Sequence, residues 1–172
     1  MRKLTHAQIV SRQVAKLSAK RIPLTVVLNN IRSLHNVGSI FRTADGVGVE
    51  KMFLCGYTGY PPQGGIAKTA LGAEAHVPWE YQENVLEVLK KLKGSGYQIV
   101  LLEQIEGSVS HDQFKPKAPV CLVIGNEVTG ISDDLLDLAD AAIEIDMAGI
   151  KNSLNVAVAF GVAAYHMRQF LK

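Results

Sequence analysis

The sequence of 172 residues lacks any apolar stretch long enough to cross a bilayer. Its longest strongly apolar run, from Val156 to Tyr165, covers ten residues, whereas a transmembrane helix needs about 20. The first residues also lack the apolar core of a secretory signal. Only two cysteines occur, Cys55 and Cys121, and they form no C-x-x-C pair, which is typical of reduced, buried thiols. We therefore expect a cytoplasmic protein with no membrane anchor.

Several motifs of catalytic sites are missing as well. No G-x-G-x-x-G follows the first predicted strand, which removes the main support for a standard dinucleotide-binding fold. Residues 125–132 nearly spell a phosphate-binding loop, but Ile131 stands where the phosphate-binding lysine belongs. The histidines are scattered, no His, Cys, Asp or Glu cluster has metal-ligand spacing, and no G-x-S-x-G occurs. We expect neither nucleoside triphosphate hydrolysis nor a metal site.

What the sequence does contain is a strongly basic segment at its beginning. The net charge is only +2, yet residues 1–21 hold six Lys and Arg side chains and no acidic one. Such a segment is typical of a surface that binds a polyanion, and equally of a solvated helix face. The length and the apolar content of 48% predict one domain over residues 1–172, of which 1–21 form a basic helical extension.

Short apolar runs alternate with helical patterns along the rest of the chain. The predicted strands cover residues 25–28, 49–55, 99–102, 120–124 and 142–145. The predicted helices cover residues 4–20, 37–46 with Asn36 as N-cap, 83–93, 133–138, and from 152 or 153 to about 171. Residues 57–65 are predicted as a loop and 69–75 as a short helical turn. Because the strand runs are continuously apolar, we expect an α/β domain with a mainly parallel sheet and helices on both faces.

Three polar, glycine-containing segments follow predicted strands, where parallel α/β sheets bind their ligands. They are N-V-G-S-I-F-R at residues 36–42, G-N-E-V-T-G at 125–130 and M-A-G-I-K-N-S-L-N at 147–155. Glycine allows a ligand to approach the backbone closely. Each segment alone is also typical of an exposed ion pair, an ordinary turn or a helix cap. Their value for a functional prediction therefore lies in their combination.

In this order the segments resemble the three motifs of the SpoU (TrmH) RNA ribose 2′-O-methyltransferases, within the SPOUT superfamily. The matching patterns are N-x-G-x-I-x-R, V-I-G-N-E-x-x-G-[IL]-S and I-x-M-x-G-x-x-x-S-L-N-V, and the resemblance runs from about Val26 to Tyr165. Residues 68–74, K-T-A-L-G-A-E, are similar to the family's intermediate segment. One departure is Asp146, where the family usually has proline. We expect its charge near the cofactor pocket to change details of that pocket.

The resemblance implies a fold, an assembly and a cofactor. The fold is a parallel α/β sheet whose C-terminal part is threaded into a trefoil knot, and the assembly is a homodimer. The cofactor is S-adenosylmethionine, which carries no phosphate and so needs no phosphate-binding loop. The residues that the resemblance implies for cofactor binding are Leu102, Gly125, Ile145, Met147, Gly149 and Leu154. The Ala- and Gly-rich residues 155–164 suit close helix packing, in the core or at the dimer face.

The implied reaction is displacement of a methyl group by a ribose 2′-hydroxyl of RNA, which needs alignment and help with the proton but no metal. The resemblance assigns that help to Arg42, acting across the dimer. The arginine would either stabilise the developing alkoxide or be made basic by an RNA phosphate. By the same resemblance Asn36, Ser153 and Asn155 would hold Arg42 and the ribose by hydrogen bonds. Glu127 would shape the second loop and the dimer site.

The partner implied by this reaction is RNA. The basic side chains that we expect to bind it are Arg2, Lys3, Arg12, Lys16, Arg32, Arg42 and Lys68. The short basic extension resembles that of tRNA-modifying members, so we expect tRNA first and ribosomal RNA second. Two alternatives stay open. A catalytically silent RNA-binding relative would keep the fold but lose the cofactor, and a small-molecule enzyme on a generic α/β sheet would be indifferent to RNA.

Overall fold

The structure is a computed structural model that describes residues 1–14 and 21–172. Its helices are α1 (His6–Val14), α2 (Leu34–Val47), α3 (Gly64–Ala70), α4 (Val85–Gly94), α5 (Asp133–Leu136) and α6 (Val156–Leu171). Its strands are β1 (Ile22–Asn29), β2 (Val49–Cys55), β3 (Trp79–Gln82), β4 (Gln98–Leu102), β5 (Val109–Ser110), β6 (Val120–Ile124) and β7 (Ala141–Glu144). A 3₁₀ turn covers Ala73–Ala75. Among these described helices, none has the length and apolar character needed to cross a membrane.

The strands form one sheet in the order β3-β2-β1-β6-β4-β7-β5. Each pair of neighbouring strands in this sheet is parallel. Parallel neighbours need crossover connections, and helices supply most of them here. The predicted α/β class is therefore confirmed, with a sheet that is parallel throughout. The trefoil knot that the resemblance implies stays a prediction.

Two separate cores cover the two faces of the sheet. Successive side chains of a strand point to opposite faces, so adjacent residues of β1 enter different cores. Val26 packs in the larger core beneath α2, α3 and α6, which also holds Phe160. Val27 packs in the second core with Leu89 of α4 and Leu135 of α5. Burial on both faces explains why the sequence of β1 is continuously apolar rather than alternating.

Both cysteines lie inside the sheet, as their sequence context predicts. Cys55 ends β2 and Cys121 lies in β6, and both are free and buried. Burial raises the pKa of the Cys55 thiol to about 12 and also raises that of Cys121. The two thiols therefore stay protonated at neutral pH and act as small apolar core residues.

The five predicted helices form, but each begins or ends at other residues than the sequence indicates. The helix predicted over 4–20 is present from His6 to Val14, and residues 15–20, with Lys16, lie outside the described residues. Helix α2 begins three residues early, because the Ser33 hydroxyl accepts the Asn36 N–H at 3.3 Å and so caps it. The prediction of Asn36 as N-cap is therefore wrong. For α6 the N-cap is Asn155 rather than residue 152 or 153.

Two strands form where the sequence pattern predicts none, and the helical turn predicted over 69–75 forms as the end of α3 and the 3₁₀ turn. The strands β3 and β5 are the edges of the sheet and are only partly buried, so they lack the continuous apolar run of a buried strand. Helix α3 begins inside the predicted loop over 57–65. Position 65 in this helix needs a glycine, because the Cβ of any other residue would lie only 2.8 Å from the Leu34 Cβ. Gly38 of α2 is equally close to α3, where a Cβ would overlap the Ile66 carbonyl and the Thr69 hydroxyl.

Candidate functional site

A cavity of about 830 Å³ opens beyond the carboxyl ends of β4, β6 and β7. Ligands of parallel α/β sheets bind at this edge, and the volume lies within the usual range for small-molecule sites. The three polar segments singled out in the sequence all contribute to its walls. The predicted site residues that line it are Arg32, Asn36, Leu102, Gly125, Glu127, Ile145, Ser153, Leu154 and Asn155. The fold therefore gathers these residues into one place, while their individual roles stay predictions.

Other predicted residues lie outside this lining. Arg42 is exposed on α2, six residues beyond Asn36 and on a different side of the helix, as the helical spacing predicts. Met147 and Gly149 belong to the segment before α6 but do not line the cavity. The basic residues Arg2, Lys3, Arg12 and Lys68 are exposed away from the lining. Within a single chain, therefore, Arg42 does not contribute to the lining of the cavity.

A chain of hydrogen bonds joins the three segments at the rim of the cavity. The Glu127 carboxylate accepts the backbone N–H groups of Arg32 at 2.9 Å and Ser33 at 3.1 Å, and the Asn36 Nδ2 at 3.0 Å. Asn36 Oδ1 in turn accepts Asn155 Nδ2 at 3.1 Å. We call Glu127, Asn36 and Asn155 the amide chain. It connects residues that are 91 and 119 positions apart in the sequence.

Both ends of the amide chain fix the orientation of its amides. At one end Glu127 can only accept, so Asn36 must present its nitrogen there and its oxygen to Asn155. At the other end Asn155 Oδ1 caps α6 by accepting the N–H groups of Ala157 at 3.0 Å and Val158 at 3.4 Å. Asn155 must therefore donate through its nitrogen. Each amide nitrogen keeps a second N–H that this chain does not use.

The protonation state of Glu127 follows from the same contacts. Desolvation raises the pKa of its carboxyl group, but hydrogen bonds from the Arg32 backbone, the Asn36 side chain and the Ser33 backbone outweigh it. The pKa therefore lies below its ordinary value. A hydrogen bond to the charged form of an acid favours that form. Glu127 is consequently an anion at neutral pH, which is what the amide chain requires of it.

The loop that carries Glu127 is held by contacts of its own, and we call residues 125–130 the glycine loop. A Cβ at Gly125 would lie 2.5 Å from the Gly130 carbonyl carbon, so only glycine fits. Gly130 has φ +68°, a conformation that side chains rarely adopt. The backbones of Asn126 and Gly130 pair at 3.0 and 3.1 Å, and Asn126 Oδ1 accepts the N–H groups of Val128 and Thr129. The glycine loop thus places Glu127 without help from a ligand.

Among the residues of the cavity that the sequence does not single out, Glu103 and Gln104 join separate segments. Glu103 accepts the Gln104 N–H at 3.0 Å and the Ile131 N–H at 2.9 Å, which ties the end of β4 to the glycine loop. Gln104 donates to the Asn152 carbonyl at 2.7 Å and so reaches the segment before α6. Their signal in the sequence is their position directly after a buried strand. No residue pattern distinguishes them from an ordinary loop.

Asp146 points away from the cavity. Its carboxylate accepts the Ser110 hydroxyl at 2.8 Å, at the edge strand β5, and it does not line the cavity. The charge that the sequence places near the pocket is therefore engaged by a hydroxyl of the edge strand. Within residues 1–14 and 21–172, no group of three His, Cys, Asp or Glu side chains could hold a metal ion.

Comparisons with known proteins point to one family. The SpoU rRNA Methylase family model matches residues 23–165. The tRNA (guanosine(18)-2′-O)-methyltransferase of Escherichia coli is 32% identical over 158 residues, covering 91% of this chain and 68% of the relative. Its namesake from Thermus thermophilus is 33% identical and covers 100% and 88%. The solved AdoMet-bound rRNA methyltransferase of Sinorhizobium meliloti superposes with a TM-score of 0.81 at 30% identity, over 87% of this chain and 57% of that one.

Proposed function

The chain belongs to the SpoU rRNA Methylase family, and from that premise we propose that it transfers the methyl group of S-adenosylmethionine to a ribose 2′-hydroxyl of tRNA. The observation that carries this proposal is the amide chain, which joins all three family motifs at the rim of one cavity. Its spare N–H groups are the kind of donors that orient a hydroxyl. The relatives that are 32% and 33% identical act on guanosine 18 of tRNA, so that nucleotide is the first to test.

The cavity suits S-adenosylmethionine in size and in character. Leu102, Ile124, Ile145 and Leu154 supply apolar walls for an adenine ring, and the close backbone at Gly125 leaves peptide groups to meet its polar edge. Bound there, the cofactor supplies an electrophilic methyl group with its own leaving group. The residues of the cavity would bind and orient it, and no metal is needed for such a displacement.

The polar residues of the rim have the remaining tasks. Asn36, Asn155 and Ser153 would orient the ribose. Arg42 would either stabilise the developing alkoxide as a cation or, once made neutral beside an RNA phosphate, accept the proton of the 2′-hydroxyl. Arg42 can do so only from a second chain, since it lies outside the cavity of its own. Replacing Arg42 with Ala should abolish methyl transfer and leave cofactor affinity nearly unchanged. Wild-type turnover in that variant would contradict the assignment.

An exposed apolar surface supports a homodimer. Val158 and Tyr165 lie one above the other on α6, and Leu154 precedes them at the cavity, with all three side chains exposed. Exposed apolar side chains in such an arrangement are typical of an interface. A dimer formed through this surface would bring a second copy of the chain close to the cavity. We further propose that the protein works in the cytoplasm as a single domain, with residues 1–21 as a basic extension that binds RNA.

Methyl transfer to unmodified RNA tests this function. The protein is incubated with radiolabelled S-adenosylmethionine and unmodified tRNA or ribosomal RNA, and the RNA is then digested to locate the label. Label at a ribose 2′-oxygen of tRNA is the expected result. Label in ribosomal RNA alone would show that ribosomal RNA, and not tRNA, is the substrate. Absence of both label and cofactor binding would favour a catalytically silent relative, and transfer that is indifferent to RNA would favour a small-molecule enzyme.

A further inference from the structure

Aromatic rings of β3 and of the loop that follows β2 gather beside the cavity but outside its lining. The ring of Tyr60 lies 4.6 Å from that of Tyr81 and 6.3 Å from that of Trp79. The Tyr81 hydroxyl donates to the Gly56 carbonyl at 3.0 Å, and Tyr57 is the residue directly after Gly56 in the sequence. Tyr57, Tyr60 and Tyr81 are 62%, 42% and 36% exposed. We call these three residues the tyrosine edge.

Tyr57 is the most exposed of the three, and it is also held in place. Its hydroxyl accepts Asn126 Nδ2 at 2.7 Å, and its backbone N–H donates to Asn30 Oδ1 at 3.1 Å. Asn126 belongs to the glycine loop and lines the cavity. The ring is therefore fixed at the rim of the site, with its faces left open. An aromatic ring held in this way loses little conformational entropy when it binds a partner.

We propose that Tyr57 stacks against an unpaired base of the RNA whose ribose enters the cavity, and that Tyr60 and Tyr81 extend this stacking surface outward. The inference rests on the proposed function. Proteins read single-stranded RNA by stacking its splayed bases on aromatic side chains. Since the Tyr57 hydroxyl is already bonded to Asn126, the ring offers its face rather than a polar group. A base suits that face better than a phosphate or an ionised side chain does.

The charges nearby favour the same orientation of the RNA. A second cavity, of about 660 Å³, lies behind Gly56 and is lined by the carboxylates Glu83, Glu87 and Asp134. These anions repel phosphate groups from this side of the tyrosine edge. An RNA strand would thus keep its backbone away from the second cavity and turn a base toward Tyr57.

The test compares two substitutions at one position. Tyr57→Leu keeps an apolar side chain but removes the ring, and Tyr57→Phe keeps the ring but removes the hydroxyl. We expect Tyr57→Leu to weaken binding of unmodified tRNA about tenfold, as for one lost stacked base. Tyr57→Phe should weaken it by about threefold at most, because the ring remains and only the hydroxyl bond that holds it is lost. The KM for S-adenosylmethionine should not change. Tyr97→Phe is the matched control, because its hydroxyl bonds Glu50 at the opposite, amino end of the sheet.

Direct binding of tRNA without cofactor separates this inference from the proposed function. The single tryptophan, Trp79, adjoins Tyr60, so its fluorescence reports on the tyrosine edge. Normal tRNA binding by a folded Tyr57→Leu variant would overturn the inference and point to a protein as the occupant of this surface. Equal losses in Tyr57→Leu and Tyr57→Phe would overturn it too, since the hydroxyl anchor would then be what matters. If wild type binds tRNA but transfers no methyl group, only the proposed function fails.

A second variant keeps the inference testable if the Tyr57→Leu variant does not fold. Tyr60→Leu removes a ring that does not touch the glycine loop, and we expect about a threefold loss of tRNA affinity. Thermal unfolding shows whether either variant is folded. Unchanged tRNA affinity in both folded variants would leave no stacking role for the tyrosine edge.

Discussion

The glycine loop and the segment from Asp146 to Asn155 both border the cavity, but they are held in different ways. In the glycine loop, Asn126 bonds the backbone of its own loop, and Gly125 and Asn126 are buried. In the later segment, residues 148–155 are all exposed. Its hydrogen bonds run to other parts of the chain, from Asp146 to Ser110 and from the Asn152 carbonyl to Gln104.

This difference suggests a division of labour within the site. A loop that is braced by internal hydrogen bonds and by buried residues keeps its shape whether or not a ligand is bound. A segment with few buried contacts opens at low free energy and takes its conformation from its neighbours. We therefore expect the glycine loop to be preformed and the later segment to close around the cofactor. Substitutions at four places in the site test this view, taken from the largest expected effect to the smallest.

The largest effect should come from Gly125→Ala. The new Cβ would meet the Gly130 carbonyl carbon at 2.5 Å, so the glycine loop must move and carry Glu127 with it. A displacement of about 1 Å can cost about a hundredfold in rate. We expect methyl transfer to fall by about that factor, measured as kcat/KM. Gly94→Ala is the control, since nothing lies within 4 Å of that position, and an equal loss there would contradict the explanation.

Glu127→Gln should come next. Glutamine cannot accept from three donors as a carboxylate does, so the Asn36 amide loses its fixed orientation. We expect kcat to fall about ten- to a hundredfold, with little change in cofactor affinity. A variant that weakens cofactor binding and leaves kcat intact would show that Glu127 serves the cofactor instead.

The pH dependence of stability offers a second measurement on the same variant. The lowered pKa of Glu127 means that its hydrogen bonds stabilise the folded protein fully above the ordinary carboxyl pKa. That contribution is lost as the pH falls through the lowered value. The difference in unfolding free energy between wild type and Glu127→Gln should therefore shrink on acidification, as denaturant titrations can determine. A difference independent of pH would contradict the ionised hydrogen-bonded state.

Two substitutions of Asn155 distinguish its contribution to stability from its contribution to activity, and we expect both effects to be smaller than that of Glu127→Gln. Asn155→Ala removes the cap of α6, and we expect a loss of about 1 kcal/mol in unfolding free energy. Asn155→Asp keeps a capping oxygen but cannot donate to Asn36, so it should retain stability and lose about tenfold in kcat. Equal activity of Asn155→Asp and wild type would show that the last link of the amide chain is dispensable.

The smallest effects belong to the contact between Ser110 and Asp146. Asp146→Asn keeps an acceptor for the Ser110 hydroxyl and should leave cofactor affinity within about threefold of wild type, because the side chain lies outside the cavity. Ser110→Ala removes the hydrogen bond and should cost about 1 kcal/mol of stability at most. Isothermal titration calorimetry with S-adenosylmethionine measures the cofactor affinity of Asp146→Asn and of wild type. A much larger change in Asp146→Asn would place the charge in the binding site after all.

Sequence patterns predict the interior of this fold better than its edges. The bounds of β2 and β6 agree with the strands predicted over 49–55 and 120–124, whereas β3 and β5 leave no comparable pattern because they lie at the edges of the sheet and are only partly buried. At the site, too, the sequence prediction fails where a local pattern allows two choices. Asn36 was predicted as a cap from its residue type, but the Ser33 hydroxyl caps α2 and leaves the Asn36 side chain free to bind Glu127. Local propensity could not decide between two good capping residues.

The buried strands, the residue types that follow them, the family that the three motifs resemble and the separation of Arg42 from Asn36 around α2 can all be predicted from the sequence. Those properties depend on neighbouring residues, and so they can be read along the chain. The meeting of Glu127, Asn36 and Asn155 and the place of Tyr57 at the rim become visible only in the folded chain. The meeting requires β6 to lie beside β1 and α6 to pack on α2, an arrangement set by burial of the whole sheet rather than by any local pattern.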